Sequence, residues 1–184
     1  SGLLKQRTFS VDGNASYNFP DNNLLGGSFD SSLTTTIEAR LRILDINGTG
    51  GSYFQAFDGV NRYSAMFSQT GLSLITTSGN QLFAVDVFNF HTYRLESAGN
   101  SDILSLFVDN ALVGSVNAAT NSLNGFGFGD GFTPAGIGAN TDWDYLHISQ
   151  TSSVPTPGAI WLFSLGLIGL IGVRKSFRSS VLLA

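Results

Sequence analysis

From Thr36 to Ile43 the chain alternates with a strict period of two, Ile37, Ala39, Leu41 and Ile43 on one side and Glu38, Arg40 and Arg42 on the other. Successive side chains of an extended strand point to opposite faces, so this spacing predicts a half-buried antiparallel strand with one apolar and one charged face. Similar short runs follow at Tyr53 to Phe57, Tyr63 to Phe67, Leu72 to Thr76, Leu82 to Phe88, Thr92 to Glu96, Ile103 to Val108 and Leu112 to Val116. Between them stand Gly48-Thr49-Gly50-Gly51, Asp58-Gly59, Ser78-Gly79-Asn80 and Asp109-Asn110, all residues that turns favour. Helical periodicity is nearly absent before residue 154. About ten short strands joined by tight turns make an all-β domain of two packed antiparallel sheets, not a helical or α/β one.

Composition says what holds such a domain. There is no cysteine, so neither disulfides nor thiolate metal sites are available, and a packed core must supply the stability. The 15 Phe, against 2 Trp and 1 Met, fall mostly at alternating strand positions and are expected between the sheets. Taking Arg174, Lys175 and Arg178 from the 9 basic residues leaves 6 against 13 acids before residue 154, a net charge of −7. That surface does not seek nucleic acid.

The C-terminal end obeys a different pattern. Val154-Pro155-Thr156-Pro157 reads as a stiff spacer, Ala159 to Val173 carries no charge, and Arg174, Lys175 and Arg178 follow at once as a membrane stop. Counted from Pro157, the apolar segment has 17 residues and would reach roughly 25 Å as a helix, short for about 30 Å of hydrocarbon but sufficient to span. The basic residues predict a cytoplasmic tail, with the preceding domain outside the membrane. Gly166, Gly169 and Gly172 recur every three residues and form a ridge where another backbone can approach, a candidate contact with subunits of an integral membrane complex. The chain starts at Ser1 without a leader, which for an exported protein is the expectation after signal-peptide removal.

The spacer, the aliphatic run with its Gly-Leu-Ile-Gly-Leu-Ile-Gly and the basic cluster together resemble the PEP-CTERM sorting signal of Gram-negative envelope proteins, with Val-Pro-Thr-Pro in place of Pro-Glu-Pro. The resemblance implies a single-pass protein of the bacterial inner membrane with a periplasmic or extracellular domain, processing by an exosortase, and a link to exopolysaccharide. Earlier segments resemble concanavalin A-like jelly rolls of the laminin G type. These are the opening Phe9 to Gly13 with Tyr17-Asn18-Phe19, the hairpin of His91 to Glu96 and Leu104 to Val113, and the closing Trp143 to Ile148. In that family the last strand returns beside the first. Asn110 stands where the family's turn has glycine, and Asn tolerates positive φ best among the other residues. The expected organisation is therefore a jelly-roll sandwich over 1–152, a spacer over 153–158, and a transmembrane helix with its tail over 159–184.

Chemistry is sparse. Glycoside hydrolases of this fold need two flanking carboxylates, but Glu38 and Glu96 lie far apart, and Asp142 with Asp144 has no third acid. His91 and His147 are the only imidazoles, and no Gly-x-Ser-x-Gly elbow exists. The domain is expected to be non-enzymatic. Binding residues are easier to name: Trp143, Tyr145 and Tyr63 for stacking on sugar rings of a polysaccharide, and Asp58, Asp130 and Asp142 as oxygen ligands for Ca²⁺, a hard cation. In Asn124 to Phe132 the aromatics Phe126, Phe128 and Phe132 alternate with glycines, leaving one backbone face with little bulk.

Overall fold

A computed structural model of the protein describes residues 2–8, 15–20, 28–47, 51–130 and 138–152. Its strands lie within one compact unit, Ser1–Ser152. In chain order they are β1 (Leu4–Arg7), β2 (Ala15–Pro20), β3 (Thr34–Asn47), β4 (Ser52–Asp58), β5 (Asn61–Ser68), β6 (Gly71–Thr76) and β7 (Gly79–Phe83), then β8 (His91–Ser97), β9 (Ile103–Val108), β10 (Ala111–Asn117), β11 (Ala119–Thr120), β12 (Asn124–Asp130) and β13 (Gly138–Thr151). Among the described residues there is no helix long and apolar enough to cross a membrane. The expected sorting motif, glycine ridge and basic stop all lie outside the described residues.

Two antiparallel sheets pack face to face. One has six strands in the order β1-β13-β3-β8-β9-β10; the other has seven, with β2-β12-β4-β5-β6-β7 in line and β11 added to β5. The alternation from Thr36 to Ile43 becomes β3, where Ile37, Ala39, Leu41 and Ile43 are at most 1% exposed while Glu38, Arg40 and Arg42 face outward. The last strand does return beside the first: β13 pairs with β1 and, over its length, with β3. Phe54, Ala56, Ala65, Phe67, Leu72 and Leu74 of the seven-stranded sheet meet Tyr93, Leu95, Leu104 and Leu106 of the other in a single core. Burying each large side chain contributes about 2 kcal/mol. The Ser52 and Thr141 hydroxyls bond to each other between the sheets.

Two expectations need correction. Leu82 to Phe88 is not one strand, since β7 starts at Gly79, ends at Phe83, and leaves Phe88 46% exposed. Nor are the phenylalanines all core. Phe57, Phe90 and Phe107 lie under arginine guanidinium groups, Phe90 under both Arg40 and Arg42, 4.9 and 4.7 Å from its centroid. An arginine lying over an aromatic ring gains cation–π attraction and shields the ring from water, so outward-facing phenylalanines are tolerated. At the β9–β10 turn both Asp109 and Asn110 have positive φ, 49° and 68°, the signature of a type I′ hairpin.

Candidate functional site

The two outer sheet faces differ in electrostatic character. On the six-stranded sheet every arginine bonds a carboxylate. Asp142 receives Arg7 at 2.6 Å and Arg42 at 3.0 Å, Asp144 receives Arg40 at 2.7 Å, and Glu96 receives Arg94 at 3.0 Å. Burial alone would raise the Asp142 pKa, but the hydrogen bonds and charges of Arg7 and Arg42 outweigh it and hold the carboxyl below its usual range. Tyr145 donates its hydroxyl to Glu38 at 2.7 Å. The carboxylates of this face are thus taken, although the Arg94 Nε and His91 Nε2 are buried without a hydrogen-bond partner.

The residues read as ligands from the sequence do not converge. Trp143 is core, not lip: it is 2% exposed, donates Nε1–H to Gln6 Oε1 at 3.0 Å and packs edge-on against Phe128. Tyr63 is 3% exposed. Asp58 is buried at the end of β4, Asp130 is buried at the opposite end of the paired strand β12, and Asp142 belongs to the other sheet. One cation cannot reach all three carboxylates, and among the described residues no group of three or more His, Asp or Glu side chains could hold a metal. Trp143 and Tyr145 do share a cleft of about 290 Å³ with Leu4, Phe19, Phe126, Phe128, Asp144 and Leu146. Its indole N–H, phenol and carboxylate are already bonded to Gln6, Glu38 and Arg40. A sugar entering there would find mostly apolar walls, with the indole N–H and the phenol already engaged and the Asp144 carboxylate paired with Arg40.

The outer face of the seven-stranded sheet is the opposite case. Since Phe54, Ala56, Tyr63, Ala65 and Phe67 point into the core, alternation puts Tyr53, Gln55, Phe57, Arg62, Ser64 and Met66 on the outside. Register aligns them in rows: Gly127 beside Gln55 beside Ser64, and Gly125 beside Phe57 beside Arg62. Phe126 and Phe128 turn inward, so the glycines of β12 leave the backbone of this face without side chains. Arg62 donates Nη2–H to Gln55 Oε1 at 2.9 Å and lies over Phe57, 5.6 Å from the ring centroid. Its Nε and the Ser64 Oγ are buried without a hydrogen-bond partner. Burial pulls the Arg62 pKa below the usual arginine value, with only Tyr53 opposing. The glycine stripe was visible in the sequence; Arg62, Gln55 and Ser64 were not, because they belong to two strands and only register aligns them.

No protein-family model and no curated protein matches the chain. Solved structures do. An alginate lyase, AlgAT5 of Polysaccharide Lyase family 7, superposes with a TM-score of 0.54 at 11% identity, covering 81% of this chain and 77% of that one. A family 7 alginate lyase in complex with its product gives 0.54 at 10% identity over 82% and 80%. The Crh5 transglycosylase in complex with NAG gives 0.52 at 12% identity over 84% and 78%. The chain is thus an all-β antiparallel two-sheet sandwich resembling the jelly roll of these proteins. The expectation of a non-enzymatic domain is overturned on this point: lyases and a transglycosylase are built on the same fold, so lacking a hydrolase's carboxylate set does not exclude turnover.

Proposed function

We propose that this domain recognises a polysaccharide on the outer face of its seven-stranded sheet. The observation that carries the reading is the partly exposed group of Phe57, Gln55 and Arg62 on adjacent rows of β4 and β5. A sugar ring needs an aromatic surface and a few hydrogen-bonding groups beside it, and this face has both. The likeness to enzymes whose names specify alginate or that were solved with NAG supports the same class of ligand.

The C-terminal residues support display of the domain outside a bacterial inner membrane, through a PEP-CTERM-like segment that an exosortase processes. The mass of the protein recovered from cells tests this part, since a species ending near Pro157 marks processing and a full-length one marks a permanent anchor. Binding is tested on the full chain with a panel of soluble polysaccharides by calorimetry. A saturable heat change with at least one polymer is the expected result; silence across the panel overturns the reading.

A further inference from the structure

Charge is missing from one side of the domain. Residues 63–85 and 110–129 contain no Asp, Glu, Lys or Arg, although 13 acidic and 6 basic residues precede residue 154. The fold brings these two runs together. β11 pairs with β5, Thr76 bridges Ala118, and the Phe83 ring of β7 lies so close to Gly114 of β10 that a Cβ there would be 2.5 Å from its Cε1. Among the described residues, β7 and β10 are also the strands that end the two sheets on this side. Most of their residues are exposed, with Leu82 at 51%, Leu112 at 61% and Val113 at 38%. The opposite margin differs. There β1 carries exposed Lys5 and Arg7, and β2 ends in Pro20, residue types that keep sheet edges from pairing with another chain. Several exposed apolar side chains elsewhere also stand next to a charge in sequence, Leu44 by Asp45, Ile103 by Asp102 and Tyr145 by Asp144.

We propose that the β7–β10 margin is where two copies of this chain meet, with Leu112, Val113 and Leu82 facing the same margin of a second copy across a two-fold axis. The inference is independent of the polysaccharide reading above. In a two-fold contact one surface meets itself, so every charge on it faces a like charge or its own image. With 13 acidic against 6 basic residues before residue 154, a net charge of −7, two copies repel wherever acids lie opposite one another. The β7–β10 margin has none to oppose. Interface cores are depleted of charge in the same way, and an edge without Lys or Pro is a ready template for another chain. A register shift between Leu112 and Gly114 interrupts the pairing of β10 with β9. Such an irregularity bends an edge and discourages a continued ladder, so the contact is carried by side chains and closes as a dimer.

The test uses the full chain in a mild detergent, with sedimentation giving its mass. The wild type should sediment as a dimer. Leu112→Lys combined with Val113→Lys sets like charges across the axis and should weaken association about tenfold or more. Leu44→Lys, at an exposed apolar position on β3, should leave it unchanged. The chain has no cysteine, so Val113→Cys supplies one thiol per copy. A short bismaleimide should join two copies through that thiol and not through Leu44→Cys. This second readout decides alone if circular dichroism shows the lysine variant unfolded. A wild type that sediments as a monomer overturns the proposal. A dimer that survives the paired lysine substitutions overturns it too, as does equal cross-linking through Val113→Cys and Leu44→Cys, since the contact then lies elsewhere on the chain.

Discussion

Tyr63 donates its hydroxyl to Asp58 Oδ2 at 2.5 Å, and both residues are almost completely buried. The other carboxylate oxygen, Oδ1, accepts the backbone N–H groups of Val60 at 2.9 Å and Asn61 at 2.7 Å. Together they lock the β4–β5 turn, where Gly59 has a φ of 87°. Two residues that read as a sugar platform and a calcium ligand are therefore parts of one turn. The same turn fixes the β4–β5 register on which the Gln55–Ser64 and Phe57–Arg62 rows depend.

Tyr63→Phe removes the donor and leaves a buried carboxylate short of one bond, at an expected cost of about 1–3 kcal/mol in urea unfolding. Alkaline titration reads the same contact. Burial first, and then the bond to Asp58, push the Tyr63 pKa up to about 12. A raised pKa means that its contribution is complete below the unfolded value of about 10 and is lost as pH rises through the folded one. The wild type should therefore lose stability between roughly pH 10 and 12 by more than Tyr63→Phe does.

Asp142 holds two arginines from two neighbouring strands, Arg7 of β1 and Arg42 of β3. Asp142→Asn keeps the shape but leaves two cations facing an amide, with an expected loss of about 1–3 kcal/mol, limited by the access both guanidinium groups have to water. The depressed carboxyl pKa sets the sign of the pH effect. Its stabilisation is complete above the unfolded value of about 4 and disappears as pH falls through the folded value. In melting curves taken from pH 7 downward, the difference between variant and wild type should be full at pH 7 and shrink as pH falls below about 4.

Local patterning made the sandwich legible. The alternation in β3, the Asp109-Asn110 turn and the closing strand each encode their geometry within a few residues, and each is found in the fold. Burial at the sheet margins was not legible in the same way. Trp143 and Tyr145 are two apart, yet one is core and the other 38% exposed, and a register shift separates their pairing with β3. Outward phenylalanines were misread because the arginines that cover them come from other strands. The row that sets Gly125, Phe57 and Arg62 side by side needs register across β12, β4 and β5, a relation that the linear sequence does not contain.

At the β9–β10 hairpin, Asn110→Gly should be neutral or stabilising by a few tenths of a kcal/mol, because glycine adopts φ near 68° without strain. Asn110→Val places a β-branched side chain in the left-handed region at a cost of about 1–2 kcal/mol. Paired chemical-denaturation midpoints separate the two substitutions. A valine variant as stable as the glycine one would mean that the turn is not type I′.

Gly71 opens β6 with φ at 141°, and a Cβ there would lie 2.1 Å from the carbonyl oxygen of Phe83 and 3.1 Å from the Val85 nitrogen. Both atoms belong to backbone, so no side-chain rotation relieves the overlap. Leu72, next in sequence, pairs with Phe83, the last residue of β7. The chain thus crosses close over Gly71 as it leaves the sheet, and further on its Val87 carbonyl accepts the Ile43 N–H at 2.8 Å. This crossing is the reason that the apolar run from Leu82 does not continue as a strand: Val87 turns into the core and bonds the other sheet instead. Gly71→Ala combines a forbidden backbone angle with a backbone clash and should cost about 3 kcal/mol or more. The alanine at Gly79, where a Cβ meets nothing within 4 Å but φ is 118°, isolates the angular part. Gly71→Ala should lower the melting temperature well beyond Gly79→Ala; equal losses would show that the close crossing contributes nothing.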